Sequence, residues 1–233
     1  MKRDRTLDAR DDELTMFGDR AGGAAIERRD FLKLAGGGLV VLFAVGDGLE
    51  AQIGGARGPD GGYPEDPNAY LAVGADGRVT CFTGKIEMGQ GIVTSLAMML
   101  AEELDVPLEA VDMVMGDTDL CPYDAGTFGS RSTKYFGPPL RQAAAEARGA
   151  LVKLAAARLG ASEEALETKD GAVRVALEPA RRATYAELVG GRRIEVRSDR
   201  KPAIKPRSAH AVSGKPVPRT DARAKVTGEA EFA

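Results

Sequence analysis

Two glycine-rich turns, each followed by an amphipathic stretch, constrain this chain more than any other feature. The first turn is Gly89-Gln90-Gly91 and the second is Gly129-Ser130-Arg131-Ser132-Thr133. After each turn, apolar residues recur with the helical period. The first stripe consists of Val93, Leu96, Ala97, Leu100 and Leu104, and the second of Leu140, Ala143, Ala147, Leu151, Leu154 and Ala155. We therefore expect each turn to lead into a helix that packs on a core.

Turns of this kind can bind an anionic ligand. A helix N-terminus carries unpaired N–H groups and partial positive charge, and glycine lets a ligand approach the backbone. Arg131 offers a planar fork that matches a phosphate, and the Gln90 amide suits the edge of a heterocycle or a metal oxo group. Two such turns indicate a large, phosphorylated, non-protein group. The alternative is that the turns only cap helices and that Arg131 is solvated. Neither GxxxxGK[ST] nor GxGxxG is present, so ordinary nucleotide-binding folds are not favoured.

Four motifs around these turns resemble the molybdenum-cofactor-binding large subunit of the xanthine oxidase family. In family order they are GKIEMGQG (84–91), AEEL (101–104), GDTD (116–119) and GTFGSRST (126–133). In that family the two turns lie against the pterin and the pyrophosphate of a molybdopterin dinucleotide. The resemblance implies an α+β fold and a cofactor-binding role for Gly89, Gln90, Gly91, Gly129, Ser130, Arg131, Ser132 and Thr133.

Within the family, the chain is most similar to the beta subunit of isoquinoline 1-oxidoreductase and to exported aldehyde dehydrogenases. Residues 214–233 resemble the incomplete start of the hammerhead domain that follows in those much longer subunits. The implied cofactors are molybdopterin cytosine dinucleotide and [2Fe–2S] clusters. Two cysteines cannot ligate such a cluster, which needs four. We therefore expect the clusters on a small partner subunit, with the remainder of the large subunit and a c-type cytochrome as further partners.

The resemblance also implies a reaction, the oxidation of an N-heterocycle or an aldehyde with oxygen from water. The family's general base is a glutamate near the C-terminal end of the large subunit, and no residue here corresponds to it. We therefore assign no catalytic residue and no metal ligand, and we expect Glu102 and Glu103 to be carboxylates on the helix surface or at the edge of its packing. Two alternatives stay open, an exported scaffold without chemistry and a truncated reading frame without function.

An export signal is predicted near the N-terminus. Arg28-Arg29-Asp30-Phe31-Leu32-Lys33 matches the twin-arginine pattern, and the uncharged run Leu34–Gly46 is shorter than the ~20 residues that span a bilayer. The small-residue stretch at 49–51 predicts a cleavage site. We therefore expect a signal over residues 1–51 that is cut after Ala51 during export. The protein is then expected in the periplasm, with membrane association as an alternative. A short buried helix is the competing interpretation, but three consecutive glycines would weaken it by about 1 kcal/mol each.

Composition narrows the remaining possibilities. A net charge of −3 gives no electrostatic case for nucleic acid. Cys81 and Cys121 are expected to be buried thiols, with a disulfide as the alternative. His210 lies in a polar stretch and is expected to be solvated.

Turn signals divide the rest of the chain. We expect a linker at 52–67, a partial cofactor-binding domain at 68–190, and a second linker at 191–213. Within the domain, alternating patterns and turn residues predict two hairpins, one strand, a long helix and a capping box. These elements are 70–83, 166–175, 111–115, 139–159 and 184–187, respectively. Asp117 and Asp119 are expected to bond nearby backbone N–H groups.

Overall fold

The computed structural model describes residues 38–43, 69–124, 126–192, 194–197 and 202–230. These residues form an α+β fold with a five-stranded sheet, a three-stranded sheet and two long helices, as expected. The strands are β1 (Gly38–Phe43), β2 (Ala69–Gly74), β3 (Val79–Thr83), β4 (Val111–Met115), β5 (Leu166–Lys169), β6 (Ala172–Val175), β7 (Glu178–Thr184) and β8 (Ile194–Arg197). The helices are α1 (Ile92–Leu104), α2 (Gly137–Leu159), α3 (Tyr185–Val189) and α4 (Ala222–Thr227).

The five-stranded sheet brings both glycine turns to one edge. Its strand order is β4-β3-β2-β1-β8, and β3 runs parallel to β4. The predicted hairpin of β2 and β3 and the predicted strand β4 are confirmed. Because the carboxyl ends of parallel strands lie at the same edge, the loop after β3 and the loop after β4 emerge together. These loops contain the first and the second turn.

Strand β1 is an interior strand of this sheet, although the apolar run that contains it predicts part of an export signal. All six residues of Gly38–Phe43 are buried, and the strand pairs with β2 on one side and β8 on the other. Leu39 and Val41 join the main core, whereas Val40 and Leu42 join a smaller cluster. A continuous apolar run suits a strand that is buried on both faces. Arg28, Arg29 and Ala51 lie outside the described residues.

Helices α1 and α2 pack on one face of the sheet and on each other. The predicted stripe of α1 is buried at Leu96, Ala97, Leu100 and Leu104, whereas Val93 is half-buried and Ile92 takes the core position. In α2 every predicted stripe residue is fully buried except Leu154. A Cβ atom at Gly137 would lie 3.0 Å from the Met99 sulfur, so the start of α2 contacts α1 directly.

The second sheet, of β5, β6 and β7, packs against α2, and α3, which follows β7, is bonded to the end of α1. The hairpin across Asp170-Gly171 and the capping box of Thr184 and Glu187 are confirmed. Strand β7 was not predicted, because five of its seven residues are exposed and carry no apolar alternation. The buried Tyr185 hydroxyl donates to the Leu104 carbonyl at 2.5 Å, and burial raises the pKa of this phenol.

Glu102 and Glu103 are buried, so the prediction that they lie on the helix surface or at the edge of its packing is wrong. Glu103 is 0% exposed, and its carboxylate accepts hydrogen bonds from Arg141 (2.6 Å) and Arg148 (3.1 Å). Glu102 is 2% exposed and accepts from the N–H groups of Ala211, Val212 and Ser213. Buried carboxylates persist only when charges or donors compensate their desolvation. Glu103 is compensated by two arginines and a backbone N–H group, and Glu102 by three backbone N–H groups.

These carboxylates hold the chain's last described stretch against the helices. We call residues 202–222 the C-terminal segment. Besides the bonds to Glu102, the segment gives the Lys205 N–H to Glu103 at 3.1 Å. His210 is half-buried, and its Nε2 accepts from Arg141 at 3.2 Å, so the prediction that it is solvated is wrong. Residues 191–213, which were expected to form a linker, therefore contain β8 and further residues that are bonded to α1 and α2.

The cysteines agree with the expectation of buried thiols. Both Cys81 and Cys121 are free and buried, and burial raises the pKa of both. Within the described ranges, no helix is both long and apolar enough to cross a membrane. Among the same residues, no group of three or more His, Cys, Asp or Glu side chains is arranged to hold a metal ion.

Candidate cofactor-binding site at the edge of the sheet

Glu87 organises the first turn. Its carboxylate accepts hydrogen bonds from the N–H groups of Gly89 (2.7 Å), Gly91 (2.9 Å) and Val93 (3.1 Å). Partial burial acts to raise the pKa of Glu87, but these N–H groups and Arg219 outweigh it, so the pKa lies below its ordinary value. The carboxylate takes the place at the N-terminus of α1 where an external anion would bind. That N-terminus is therefore not the anion site that the spacing suggested.

The Gln90 amide is also bonded within its own loop. Its Nε2 donates to the Ile86 carbonyl at 2.9 Å, and its Oε1 accepts from the Met88 N–H at 2.5 Å. Gly89 and Gly91 have φ values of 99° and 78°, which favour glycine, and a Cβ atom at Gly89 would meet nothing within 4 Å. The first turn thus has a closed bonding pattern and an open outer surface.

Arg219 ties the first turn to the C-terminal segment. Its guanidinium donates to the Gly89 carbonyl at 2.8 Å and lies 3.4 Å from the Glu87 carboxylate. Asp221 holds the same guanidinium at 2.8 Å, and this bond is the main reason why the pKa of Asp221 is lowered. Next to it, the Thr220 N–H donates to Thr94 Oγ1 at 3.0 Å. Contacts with residues about 130 positions away therefore fix the turn from outside.

Buried Lys85 joins the loop of the first turn to the loop of the second. Its ammonium donates to Asp124 Oδ1 and to the Gly126 carbonyl, both at 2.7 Å, and Lys85 is 4% exposed. One residue further on, the Ile86 N–H donates to Thr127 Oγ1 at 2.9 Å. A Cβ atom at Gly84 would come within 2.5 Å of Asp124 Cβ, so the two loops are in close contact. The fold brings the predicted turns to adjoining loops.

The second turn is built around Arg131. Gly129 and Ser130 have φ values of 62° and 55°, and a Cβ atom at Gly129 would lie 3.3 Å from Arg131 Nε. The guanidinium lies 5.7 Å from the ring centre of Phe128 and 5.9 Å from that of Tyr135. Within the described part of the chain, Arg131 Nη1 is buried without a hydrogen-bond partner. A buried guanidinium nitrogen without a partner is costly, and an anionic ligand oxygen would satisfy it.

The second turn enters α2 differently from the prediction. Ser132–Phe136 forms a π-helical turn before α2 begins at Gly137, and Ser132 is buried. π-helical turns occur frequently at functional sites.

Asp117 Oδ1 accepts from the N–H groups of Asp119 and Leu120, both at 2.9 Å, which confirms the predicted local role of Asp117.

Exposed apolar side chains surround both turns. Ile86 and Met88 are 42% and 61% exposed beside the first turn, and Phe128 is 48% exposed beside the second. Large apolar side chains at the rim of polar turns are typical of a surface that another part of a protein covers. A separate cleft of about 540 Å³ is lined by Leu108, Glu109 and the first residue of β4 on one side and by the C-terminal segment on the other, and Arg219 is common to it and to the first turn.

The residues present suit an anionic cofactor. The unpartnered Arg131 nitrogen, the open face of Gly89 and the left-handed backbone of the second turn offer donors and close approach. Sequence reasoning missed Glu87, Lys85, Asp124 and Arg219. The Glu87 contacts span only two to six positions and could have been anticipated from a carboxylate preceding a helix. The contact between Arg219 and Gly89 could not be anticipated from the sequence, because the two residues are 130 positions apart.

Comparison with known proteins identifies the class to which this arrangement belongs. A molybdopterin cofactor-binding domain family matches residues 24–218. The chain therefore belongs to the molybdopterin cofactor-binding domain family and to the large subunits of the xanthine oxidase type.

Three similar proteins illustrate the match. A nicotinate dehydrogenase component from Pseudomonas putida is 37% identical over 163 residues, covering 70% of this chain and 14% of that protein. The isoquinoline 1-oxidoreductase beta subunit from Brevundimonas diminuta is 38% identical over 131 residues, covering 53% of this chain and 16% of the relative. The crystal structure of quinoline 2-oxidoreductase from Pseudomonas putida 86 matches with 34% identity and a TM-score of 0.47, covering 52% of this chain and 15% of that one. The chain spans about one seventh of the first relative's length.

Proposed function

We propose that, in the assembled subunit, the second turn binds the pyrophosphate of a molybdopterin dinucleotide and the first turn lies against its pterin. The observation that carries this proposal is the buried Arg131 Nη1, which has no hydrogen-bond partner within the described ranges. A guanidinium at the base of a glycine turn offers charge-assisted hydrogen bonds to phosphate oxygens. Ser130, Ser132 and Thr133 place further hydroxyl groups in the same turn.

The two turns would contribute differently to this binding. The Arg131 guanidinium lies over the rings of Phe128 and Tyr135, 5.7 and 5.9 Å from their centres, so these two cation–π contacts favour its position before a ligand arrives. In the first turn, Glu87 and Arg219 hold the backbone, and the side chain of Gln90 is held by Ile86 and Met88. The first turn therefore supplies a rigid, close-approach surface rather than a free side chain.

The proposed enzyme is a molybdenum hydroxylase that oxidises an N-heterocycle or an aldehyde. The bound cofactor supplies the molybdenum centre at which the substrate is oxidised with oxygen from water. Relatives named for nicotinate, isoquinoline and nicotine favour the N-heterocycle class. This chain's residues would orient the cofactor and shield its polar contacts from water, which strengthens them. No catalytic residue is assigned within the chain.

The proposed assembly includes other parts. The exposed Ile86, Met88 and Phe128 would be covered by the remainder of the large subunit, which encloses the cofactor from the other side. We propose the cytosine dinucleotide form of the cofactor, [2Fe–2S] clusters on a small subunit, and a c-type cytochrome as a further electron-transfer partner. Relatives named as subunits of dehydrogenase complexes support a multi-subunit arrangement.

The experiment that tests the function uses the complete subunit with its partner subunit, expressed in a host that makes the cofactor. Bound molybdenum and pterin are measured, together with dye-coupled oxidation of isoquinoline, nicotinate and benzaldehyde. We expect stoichiometric metal and turnover of at least one N-heterocycle. Full metal with no oxidation of any of the three would contradict the proposed substrate classes, and an assembled complex that binds neither metal nor pterin would favour the scaffold alternative.

The same host provides a test of how the site is assembled. The 233-residue chain expressed alone is expected neither to retain the cofactor tightly nor to oxidise these substrates, because a cofactor held on one side stays hydrated. Stoichiometric metal with turnover in this chain would show that a complete site lies within these residues.

We also propose export by the twin-arginine route to the periplasm, based on the pattern at residues 28–33. Replacing Arg28 and Arg29 together by lysine is expected to keep the protein in the cytoplasm, because the machinery reads the guanidinium pair. The matched control is Arg5→Lys, which changes an arginine outside the pattern. Fractionation that finds the double variant in the periplasm at the wild-type level would reject this route.

A further inference from the structure

We infer that Gly38–Phe43 remains in the mature protein as a strand of the main sheet, so that proteolytic maturation does not cut after Ala51. The strand lies inside the five-stranded sheet, between β2 and β8, and all six residues are buried. Cleavage after Ala51 would remove it from the folded chain. Any leader that is removed must therefore end before Gly38.

The pairing of β1 shows what its removal would cost. It pairs with β2 over six residue pairs, from Gly38↔Gly74 to Phe43↔Ala69, and in parallel with β8 over four. Without β1, one edge of β2 would lose its hydrogen-bond partners and β8 would be detached from the sheet. Leu39, Val41 and Phe43 are at most 2% exposed, and Phe43 packs against Phe136 with ring centres 6.0 Å apart. Phe136 ends the π-helical turn that follows Arg131, so the strand also supports the second turn.

The steric surroundings of Gly38 also indicate that this segment belongs to a sheet. A Cβ atom at this position would lie 2.7 Å from the Val73 carbonyl oxygen, a distance that real side chains do not adopt. The glycine therefore permits the close approach of β1 to β2. An apolar segment that is discarded after export has no such steric requirement.

The family match supports the same conclusion independently of the coordinates. The molybdopterin cofactor-binding domain family covers residues 24–218, so the matched domain begins upstream of β1. An uncharged run of this length is compatible with an export signal and with a strand buried on both faces. Burial, pairing and the family boundary together favour the strand. The inference does not depend on the cofactor assignment, and it applies in whichever compartment the protein is found.

Peptide mapping of the native, cofactor-loaded complex tests the inference directly. Trypsin cuts after Lys33 and Arg57, so a retained strand gives the peptide 34–57, or a form of it that begins no later than Gly38 if a leader has been removed. We expect this peptide in the same molar amount as a reference peptide from α2, in both periplasmic and cytoplasmic fractions. A short peptide 52–57, or any N-terminus later than Gly38 in the loaded complex, would overturn the inference.

A substitution pair tests whether the strand is needed for folding. Val41→Asp places a charge at a position that is 0% exposed, whereas Val226→Asp changes the same residue type at 84% exposure. In the complete subunit we expect the first variant to lower the soluble yield at least about tenfold and the second to stay within about twofold. Equal yields and equal melting temperatures for the two variants would contradict the proposed strand. Because the peptide map uses unaltered protein, it decides the question even if Val41→Asp cannot be isolated.

Discussion

The two glycine turns lie at the same edge of the sheet, yet they differ in how their polar groups are used. In the first turn, Glu87 receives three backbone N–H groups and the Gln90 amide is bonded at both ends. In the second, the Arg131 guanidinium lies over two aromatic rings and retains a buried nitrogen without a partner inside the described ranges. Both turns have the same sequence signal, glycine followed by a helix. In the first turn the polar groups bond to one another, whereas the second turn keeps a donor that can bind a ligand.

The largest expected effect on structure is that of Glu87→Ala in the first turn. The change leaves the N–H groups of Gly89, Gly91 and Val93 without their carboxylate, which should cost about 2–3 kcal/mol locally. Hydrogen exchange of these amides in the complete subunit is then expected to accelerate by about 30- to 150-fold. Glu109→Ala, which removes an exposed glutamate, is the matched control and should leave the exchange unchanged. Equal protection in both variants would mean that Glu87 does not organise the turn.

A medium effect is expected from two separate substitutions in the second turn, one at its glycine and one at its serine. Both Gly129 and Ser130 have left-handed backbone angles, so Gly129→Ala should destabilise the turn by about 1–2 kcal/mol and Ser130→Gly should stabilise it by up to about 1 kcal/mol. The Tyr135 N–H, which donates to the Arg131 carbonyl at 2.8 Å, reports on the turn through its exchange rate. We expect faster exchange in the first variant and equal or slower exchange in the second. If the exchange rate became faster in both variants, or slower in both, the result would argue against the left-handed geometry.

The smallest expected effect is a difference in acid sensitivity. The pKa of Glu87 is lower in the folded protein than its ordinary value of 4.5. Its stabilising contribution is therefore fully present above that ordinary value and is lost as the pH falls through the folded pKa. Comparison with Glu87→Gln by exchange of the Gly91 amide should show a gap at pH 6 that narrows below about pH 4.5. A gap that widens on acidification would contradict the assigned hydrogen bonds.

How far the sequence predicts this structure depends on whether the signal is local. The stripes of α1 and α2, the hairpins and the capping box of Thr184 are periodic or short-range, and they were predicted correctly. Strand β1 was not identified, because an apolar run of this kind also suits an export signal. The burial of Glu102 and Glu103 depends on the C-terminal segment, about 100 positions away.

The candidate site follows the same rule. The glycine positions and Arg131 stand out in the sequence, and adjoining loops contain them. The anchoring of the first turn by Arg219 could not be deduced from the residues of the turn alone, because Arg219 comes from a distant segment. The position of the Arg131 guanidinium over the rings of Phe128 and Tyr135, and the lack of a partner for its buried nitrogen, are features of the folded loop that spacing does not specify. The assignment of the eight turn residues to the cofactor stays a proposal.

Cofactor content of Arg131→Ala and Gln90→Ala in the complete, partnered subunit tests the central claim most directly. Both changes are expected to lower bound molybdenum and pterin at equal protein recovery. Arg131→Ala should have the larger effect, because a charge-assisted phosphate bond contributes about 1.5–3 kcal/mol, a factor of about 10 to 150 in affinity. Arg207→Ala, at an exposed position, is the control and should retain full content. Full molybdenum and pterin in Arg131→Ala, with a melting temperature equal to that of the control, would contradict the account.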